Sequence, residues 1–450
     1  MPYSFVFDAN RCTGCQACQL ACVIENDLDF GSSWRLIHTF NERHLPGIPL
    51  FHLSLACNHC AEPACLHACP ALAYSKDAAT GAVLIDPYRC IGCGYCSWAC
   101  PYDAPRFDRD SGVMTKCTFC NDRIHGGGGP ACAELCPTGA LRFEQLAPEE
   151  ITNDVEGFPQ SDLAPSIRIL PLREGRREPL PHDEAPAIPS DLSRLARAEP
   201  RASLRSEWTL AIFTLLAAAL VAWLVSTAAG GPKLHSVVFL GASTLAMAFG
   251  TLHLGQKARA WRAILGFRRS WLSREIAFFS AFVATGATSL LGVPGSGATG
   301  VAAVLLGIAA LFSMDRVYGF RVRDAVFVPH SASVLLTGFL LAGVLLEQPL
   351  LAGIVGAAKM VLYVSRKIGF LRSGRRVLPW VTASRIAFGF LLPAIVWVTA
   401  PAGGPILTIV SVLLGESIDR CEFYTELDFP SPARQMTVDL ATRVIGQKER

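Results

Sequence analysis

The residues best suited to chemistry are sixteen cysteines that form four runs. The runs are Cys12-x2-Cys15-x2-Cys18-x3-Cys22, Cys57-x2-Cys60-x4-Cys65-x3-Cys69, Cys90-x2-Cys93-x2-Cys96-x3-Cys100 and Cys117-x2-Cys120-x11-Cys132-x3-Cys136. In the C-x2-C-x2-C-x3-C-P spacing of the third run, three thiolates hold one iron–sulfur cluster and the fourth reaches a second cluster. Structural zinc instead uses CxxC pairs, or Cys with His, at wider separation. The runs favour iron–sulfur clusters, with a zinc-binding membrane scaffold as the open alternative.

Three histidines lie near these cysteines, at His59, His67 and His125. The four runs are complete without them, so they are not needed as ligands. We expect surface or hydrogen-bonding roles, and the alternative is tuning of a cluster through contacts to its sulfur atoms.

The composition separates the chain into two unlike halves. It has 450 residues, 17 cysteines and a formal net charge of +3, which gives no reason to expect a nucleic-acid partner. Between Trp208 and Ile418 the chain is mostly apolar and has no cysteine. The segment Met1–Asp8 lacks the basic and apolar regions of an export signal, so we expect no export of the cysteine half by this segment.

The cysteine half predicts an α+β domain built from duplicated ferredoxin-like modules. Tyr3–Phe7 alternates like a strand, and Ala82–Ile85 and Thr138–Phe143 read as hairpin arms. We divide the chain into an iron–sulfur domain at 1–145, a linker rich in proline and charge at 146–206, a membrane region at 207–420 and a tail at 421–450.

The second half predicts an all-α membrane bundle of about eight transmembrane helices. The apolar segments are Trp208–Ala229, Leu234–Leu254, Glu275–Leu291, Ala298–Met314, Pro329–Leu346, Leu350–Ser365, Leu378–Ala400 and Pro405–Ile418. Loops after the second, fourth and sixth segments carry Lys257, Arg259, Arg262, Arg268, Arg269, Arg274, Arg316, Arg321, Arg323, Arg366, Lys367, Arg372, Arg375 and Arg376, against Lys233 in the opposite loops. This asymmetry predicts that both termini and the cysteine domain face the cytoplasm.

Ionisable residues of the membrane half concentrate on that same side. They include His253, Glu275, Arg316, Tyr318, Arg385, Glu416 and Arg420. Each taken alone is equally well explained as an interfacial residue. Lys359, inside the sixth segment, is expected to extend its ammonium group to the interface, with a proton path as the weaker option. Haem b needs two opposed histidines, and the positions of His235, His253 and His330 give little support for it, so no haem is expected.

The cysteine half resembles the four-cluster iron–sulfur subunits of the dimethyl sulfoxide reductase family. The resemblance covers roughly Tyr3–Phe143 and includes Cys57-Asn-His-Cys60, Cys100-Pro-Tyr102, Lys116-Cys117 and Cys120-Asn-Asp-Arg123. Some relatives have tryptophan where this chain has Cys93 and hold three irons there, so four 4Fe–4S clusters are expected. The family implies four quartets, named here in order: first, Cys12, Cys15, Cys18 and Cys136; second, Cys22, Cys117, Cys120 and Cys132; third, Cys57, Cys60, Cys65 and Cys100; fourth, Cys69, Cys90, Cys93 and Cys96.

The membrane half resembles the anchor subunit of dimethyl sulfoxide reductase. The shared fragments are Leu252-His-Leu-Gly255, Leu272-Ser-Arg-Glu-Ile276, Arg316-Val-Tyr318, Gly415-Glu416, Arg420 and Phe423-Tyr424. In that family the region of His253 and Glu275 is implicated in quinol binding. The resemblance therefore implies a quinone site with His253, Glu275, Arg316, Tyr318, Arg385, Glu416 and Arg420 as candidates, and menaquinone or ubiquinone as the substrate.

Together the halves predict a fused electron-transfer and anchor subunit in a prokaryotic cytoplasmic (inner) membrane. No nucleotide-binding motif is present, so we expect a non-catalytic redox subunit whose partner is a molybdopterin-containing catalytic subunit. That partner is either a dimethyl sulfoxide reductase type or a sulfite-type dehydrogenase that runs toward quinone. A polysulfide-reductase or formate-dehydrogenase type of complex remains the alternative.

Overall fold

The computed structural model describes residues 3–29, 31–173, 203–292, 296–319, 330–372, 377–399, 404–427 and 429–448. They form two compact units. The cysteine unit contains the described residues up to 173 together with 429–448, and the helical unit contains those from 203 to 427. Linker residues 174–202, and Arg321, Arg323, Arg375 and Arg376 from the predicted cytoplasmic loops, lie outside the described residues.

The cysteine unit combines short strands with short helices, which confirms its predicted α+β character. The strands are β1 (Tyr3–Asp8), β2 (Leu36–Phe40), β3 (Phe51–Leu55), β4 (Tyr74–Lys76), β5 (Val83–Ile85), β6 (Arg106–Asp108), β7 (Val113–Thr115), β8 (Leu141–Gln145) and β9 (Ile167–Leu170). The helices are α1 (Ala17–Glu25), α2 (Ala64–Ala68), α3 (Tyr95–Ala99), α4 (Asn121–His125), α5 (Ala131–Glu134) and, near the end of the chain, α15 (Pro432–Lys448).

A three-stranded sheet forms the centre of the cysteine unit. Strand β1 lies between β8, which is antiparallel to it, and β9, which is parallel to it. Phe5 pairs with Phe143 on one side and with Ile167 on the other. Strands β2–β3, β4–β5 and β6–β7 are antiparallel pairs. Because β9 falls inside the stretch expected to be a linker, the cysteine unit continues beyond residue 145.

The last helix of the chain is part of the cysteine unit. Met436, Leu440 and Val444 of α15 are buried in the same apolar core as Phe5 and Leu53. Asp439 accepts a hydrogen bond from the Gly157 N–H at 2.7 Å. Gly157 has a φ of +79°, and a Cβ there would meet the Met436 Cγ atom at 2.6 Å, so only glycine fits. The expected C-terminal tail thus contains a folded, packed helix.

The helical unit contains the apolar segments. Its helices are α6 (Leu204–Ala228), α7 (Ser236–Leu252), α8 (Trp271–Leu290), α9 (Ser296–Val317), α10 (Val334–Leu345), α11 (Pro349–Arg372), α12 (Pro379–Ile386), α13 (Leu392–Thr399) and α14 (Gly404–Glu426). A π-helical turn at Ala387–Leu391 joins α12 to α13. Ser333 and Asp315 begin α10 by accepting hydrogen bonds from backbone N–H groups, with Asp315 Oδ1 2.7 Å from the Val334 nitrogen.

The expected count of eight transmembrane helices is not confirmed. Among the described residues, four helical segments are long and apolar enough to span a bilayer: 204–228, 297–317, 349–372 and 379–399. A fifth is possible if α7 and the short helix Lys257–Ile264, which meet at 104°, count as one span. Helix α10 has only 12 residues. Helix α14 carries several charged residues, which lower its apolar character.

The packing of α15 predicts that it stabilises the cysteine unit. Leu440→Ala removes a side chain that is 7% exposed and should lower the free energy of unfolding of this unit by about 2–5 kcal/mol. The measurement is urea denaturation of the detergent-solubilised protein, in which the protease sensitivity of the cysteine unit reports its unfolding. Val438→Ala, on the exposed face of the same helix, is the control and should change the free energy of unfolding by less than about 0.5 kcal/mol. Equal effects of the two substitutions would contradict the prediction.

Candidate iron–sulfur and quinone sites

Left-handed backbone turns surround the cysteine runs. Gly14, Gln16, Gly92, Gly94 and Cys120 all have φ between +49° and +72°. Such turns direct successive backbone N–H groups toward one point, where they stabilise negative charge. Five N–H groups donate to cysteine sulfur at 3.3–3.4 Å: Ala73 to Cys69, Gly92 and Met114 to Cys90, Phe119 to Cys117, and Leu141 to Cys136. The backbone is therefore arranged to receive anionic sulfur.

The first two quartets bring together cysteines that are far apart in sequence. Cys12 interacts electrostatically with Cys15, Cys18 and Cys136, which are the other members of the first quartet. In the second quartet, Cys117 and Cys120 both interact with Cys22 and Cys132. A cavity is lined by all four thiols of the second quartet. The assignment of these cysteines to shared clusters stays a prediction.

The other two quartets repeat the pattern. Cys60 interacts with Cys57, Cys65 and Cys100, and a second cavity is lined by these four thiols. Cys93 interacts with Cys69 and Cys90, and Cys96 interacts with Cys69 and Cys93. Among the residues that the structure describes, no three His, Cys, Asp or Glu side chains are placed to share one metal ion.

Electrostatic interactions between thiols of different quartets indicate one order for the four sets. Cys18 of the first quartet interacts with Cys132 of the second. Cys117 of the second interacts with Cys57 of the third, and Cys65 of the third with Cys96 of the fourth. Each of these interactions joins consecutive quartets, which gives the sequence first, second, third, fourth. The first quartet is the least enclosed, because Cys15 is exposed and Cys12 and Cys136 are only partly buried.

The donor sets fit 4Fe–4S clusters. Four thiols, inward N–H donors and a small enclosing cavity are what such a cluster requires. Burial raises the pKa of the Cys60, Cys65 and Cys96 thiols, so iron must displace their protons when it binds. Two cations are buried beside the cavities: Arg35 at the second quartet, which the sequence did not single out, and Lys116 at the third.

The three histidines have different surroundings. His67 and His125 lie at the surface near carboxylates, with the His125 Nε2 atom 3.1 Å from Asp77. His59 is buried and its ring stacks on Phe119 with 4.2 Å between centroids. Its Nδ1 atom accepts the Val83 N–H at 2.9 Å, which leaves the proton on Nε2. Burial, together with Lys116 and Arg35, lowers the pKa of His59 well below its usual value, so the ring is neutral.

Four side chains gather near one end of the helical unit. Tyr318 and Tyr424 share a hydrogen bond of 2.7 Å between hydroxyl oxygens, and Arg420 donates to the Tyr424 hydroxyl at 3.5 Å. Glu275 is buried and interacts electrostatically with Arg420 and both tyrosines. Its carboxylate makes no hydrogen bond to any residue that the structure describes. These four residues, which we call the tyrosine–glutamate cluster, combine an available carboxylate with phenolic and guanidinium donors.

Two further candidates from the sequence lie at the ends of helices α7 and α9. His253 follows the last residue of α7, and its Nδ1 atom is buried without a hydrogen-bond partner among the described residues. Arg316 places its guanidinium 5.3 Å from the centre of the Trp271 ring, which Arg274 also approaches, at 4.3 Å. Arg316 thus packs on an aromatic ring at the end of α9.

Arg385 and Glu416 belong to a different group, an ionic ladder between helices. Its members are Lys359, Arg366, Lys367, Arg385, Glu416, Asp419, Glu422 and Glu426, four cations and four carboxylates. Glu416 lies 2.9 Å from Lys359 and 2.8 Å from Arg385, and all three side chains are at most 1% exposed. The expectation that Lys359 extends to the interface is therefore wrong. Its charge is buried because a carboxylate neutralises it there.

Two glycines permit the innermost part of the ladder. A Cβ at Gly389 would overlap the Arg385 guanidinium, and a Cβ at Gly415 would overlap both that guanidinium and the Gly389 backbone. Small residues let helices approach closely in membranes, and π-helical turns often accompany functional sites. The sequence carries a signal for this ladder. Acidic residues recur every three or four positions on one helix, which predicts a continuous acidic face, at Glu416, Asp419, Glu422 and Glu426.

The crossed quartets predict a specific result for Cys22→Ser. Cys22 lies in the first run but lines one cavity together with Cys117, Cys120 and Cys132 of the fourth run. Its substitution should alter the electron paramagnetic resonance (EPR) signal that Cys120→Ser also alters, and leave the signal affected by Cys15→Ser unchanged. Cys421→Ser is the control, because Cys421 belongs to no quartet, and it should retain all iron. If Cys22→Ser and Cys15→Ser alter the same signal, the crossed grouping is contradicted.

Comparisons with known families match both halves of the chain. Residues 48–146 match the family described as "4Fe-4S dicluster domain". Residues 203–384 match the family described as "DMSO reductase anchor subunit (DmsC)". The two matches lie in the cysteine unit and the helical unit respectively.

Curated relatives match the cysteine half. The B subunit of anaerobic dimethyl sulfoxide reductase from Haemophilus influenzae is 43% identical over 188 residues, which are 39% of this chain and 91% of that protein. The B subunit of the same enzyme from Escherichia coli is 42% identical over 149 residues, 31% of this chain and 72% of that protein. Thiosulfate reductase electron transfer subunit PhsB of Salmonella typhi is 39% identical over 153 residues, 33% of this chain and 79% of that protein. The chain therefore belongs to the family of dimethyl sulfoxide reductase B subunits and carries a dimethyl sulfoxide reductase-type anchor region on the same polypeptide.

Proposed function

We propose that this chain transfers electrons between a membrane quinone pool and a separate molybdopterin-containing catalytic subunit. The observation that carries the proposal is that cysteines distant in sequence gather into sets of four, two of which each line one cavity, and that thiols of consecutive sets are close enough to interact electrostatically. A 4Fe–4S cluster in each quartet would supply one-electron transfer at a potential set by its protein surroundings. Four clusters in a line would connect two separate reactions, one at each end.

The residues of the cysteine unit hold and shield these sites. Sixteen thiols supply complete ligand sets, and N–H donors at sulfur stabilise the ligated, ionised form. Most of these thiols are buried, which keeps water from the inner sites. The exposed Cys15 puts the first quartet closest to the surface of the cysteine unit, a position suited to exchange with a partner protein.

The tyrosine–glutamate cluster is the proposed quinone site. Oxidation of a quinol to a quinone breaks two O–H bonds and releases two electrons and two protons. The Glu275 carboxylate would accept a proton, while the Tyr318 and Tyr424 hydroxyls and the Arg420 guanidinium would donate hydrogen bonds to quinone oxygen. His253 offers a second proton acceptor at the end of α7. The reverse steps would apply to quinone reduction.

Arg316, Arg385 and Glu416 have indirect roles in this proposal. Arg385 and Glu416 neutralise each other and hold α12 against α14, which also carries Arg420 and Tyr424. Arg316 packs on Trp271, four residues before Glu275 on the same helix. These residues would keep the quinone site in shape without touching the substrate.

The relatives suggest candidates for the catalytic partner and for the direction of electron flow. The B-subunit relatives favour a dimethyl sulfoxide reductase-type complex that takes electrons from quinol, and a sulfite-type dehydrogenase would run the same relay toward quinone. The likeness to the thiosulfate reductase subunit supports a complex of the polysulfide-reductase type as the second candidate. Identification of the catalytic subunit that co-purifies with the full chain distinguishes them.

Glu275→Gln tests the quinone site. The amide keeps the shape of the side chain but accepts no proton, so we expect quinol-dependent reduction of the iron–sulfur clusters to slow by about 100-fold. The measurement is cluster bleaching by a quinol analogue in membranes, with dithionite showing that the cluster content is unchanged. Glu347→Gln, at an exposed carboxylate of the helical unit, is the control and should have no effect. A normal quinol rate in the Glu275 variant would contradict the site.

Reporter fusions test the cytoplasmic orientation. The excess of Lys and Arg in alternate loops predicts that an N-terminal fusion to a reporter active only in the cytoplasm is active. A fusion in the loop at Glu347, which has the opposite predicted location, should be inactive with the same reporter. If the N-terminal fusion works only with a reporter active outside the cytoplasm, the proposed orientation is wrong.

A further inference from the structure

Arg35 is a buried cation in the core of the cysteine unit. Arg35 is 1% exposed and immediately precedes β2. The Nη1 atom donates to the Ser54 carbonyl oxygen at 2.9 Å and to the Ser54 hydroxyl at 3.2 Å. The guanidinium carbon lies 4.5 Å from the centre of the Phe5 ring. These contacts fix the side chain but use only part of its hydrogen-bonding capacity.

The remaining donors of Arg35 belong to a side chain that lines a cavity surrounded by cysteine thiols. Its Nε and Nη2 atoms are buried and have no hydrogen-bond partner in the described part of the chain. Arg35 lines the cavity that the second quartet surrounds, and it interacts with the thiols of Cys22, Cys117 and Cys132 from that quartet. Cys18 of the first quartet is its fourth sulfur neighbour. Among the described residues, Arg35 forms no salt bridge with a carboxylate.

A buried cation without a counter-charge is costly. Leaving one member of a buried ion pair without its partner strongly destabilises a protein. The fold tolerates Arg35 only if negative charge occupies the second-quartet cavity, and thiolate-ligated iron–sulfur clusters carry such charge. Reduction adds one more negative charge at the same place, and a fixed neighbouring cation favours that reduced state.

We propose that Arg35 is the internal counter-charge of the second-quartet cluster and raises the reduction potential of that cluster above the value it would have without the cation. This inference rests on the proposed function, because it requires the quartets to hold clusters. Arg35 acts through charge on a neighbouring group and is a positioning and tuning residue. It contacts no substrate.

Lys116 provides a matched comparison at the third quartet. It is also 1% exposed, and it lines the cavity surrounded by Cys57, Cys60, Cys65 and Cys100. Unlike Arg35, its ammonium group is engaged by backbone oxygen, donating to the carbonyls of Val83 and of Cys117, the latter at 2.9 Å. Removal of each charge should therefore affect a different cluster.

The test is an EPR-monitored redox titration of membranes that contain the full chain with its partner. Arg35→Met removes the charge at similar length, and Arg35→Lys keeps it. Cys120→Ser and Cys60→Ser identify the signals of the second and third quartets. We expect Arg35→Met to lower the second-quartet midpoint by at least about 59 mV, a tenfold change in the one-electron equilibrium. Arg35→Lys should retain most of the potential, and Lys116→Met should shift mainly the third-quartet signal.

Each outcome decides the matter. If Arg35→Met leaves every midpoint unchanged, or shifts the same signal as Lys116→Met, the inference is overturned. If Arg35→Met loses second-quartet iron and Arg35→Lys retains it, the requirement for charge is supported. If both substitutions lose it equally, shape and not charge is responsible, and the inference fails. Cluster signals in the unchanged protein uphold the proposed function in every one of these cases, whereas their absence would overturn the proposed function itself.

Discussion

Burial of sulfur charge is the constraint on which the cysteine unit depends. Sixteen thiols lie in or near an apolar core, where an ionised group is costly unless it is paired or hydrogen-bonded. Three features stabilise this charge. They are left-handed turns such as those at Gly14 and Gly94, backbone N–H groups that donate to sulfur, and the buried cations Arg35 and Lys116. The short strands and helices are therefore best understood as a frame that brings these compensating groups to the quartets.

The helical unit meets the same constraint with side chains alone. Lys359, Arg385, Glu416 and Asp419 are almost fully buried, and each charge lies beside one of opposite sign. Breaking one such pair leaves an uncompensated charge, so the ladder holds α11, α12 and α14 in one register. Glu275 differs from these carboxylates because no described residue donates a hydrogen bond to it. A buried carboxylate left available in this way is suited to a ligand that brings its own protons.

Much of the fold was predictable from local pattern, and the exceptions have a common cause. The strand at Tyr3–Phe7, the cysteine runs and each apolar segment were visible because alternation, spacing and hydrophobicity are local properties. Strand β9 and helix α15 were assigned to a linker and a tail, because their partners β1 and the core residue Leu53 are more than a hundred residues away. The predicted count of eight membrane spans was not confirmed, because Arg274 and Glu275 in α8 and the charged residues of α14 lower the hydropathy of these helices, and α10 has only 12 residues.

The sequence by itself determined the chemistry of the cysteines, the division into two unlike halves and the resemblance that the family comparisons confirmed. The spacing of metal ligands and the length of apolar segments are local properties of the sequence, so they can be recognised without knowing which residues lie close together in the fold. The order of the quartets, the separation of Glu275 from the Arg385–Glu416 pair, and the position of Arg35 were decided only by tertiary structure. A lone arginine before a strand has no special pattern, and its role depends on the charges that folding brings within a few ångströms of it.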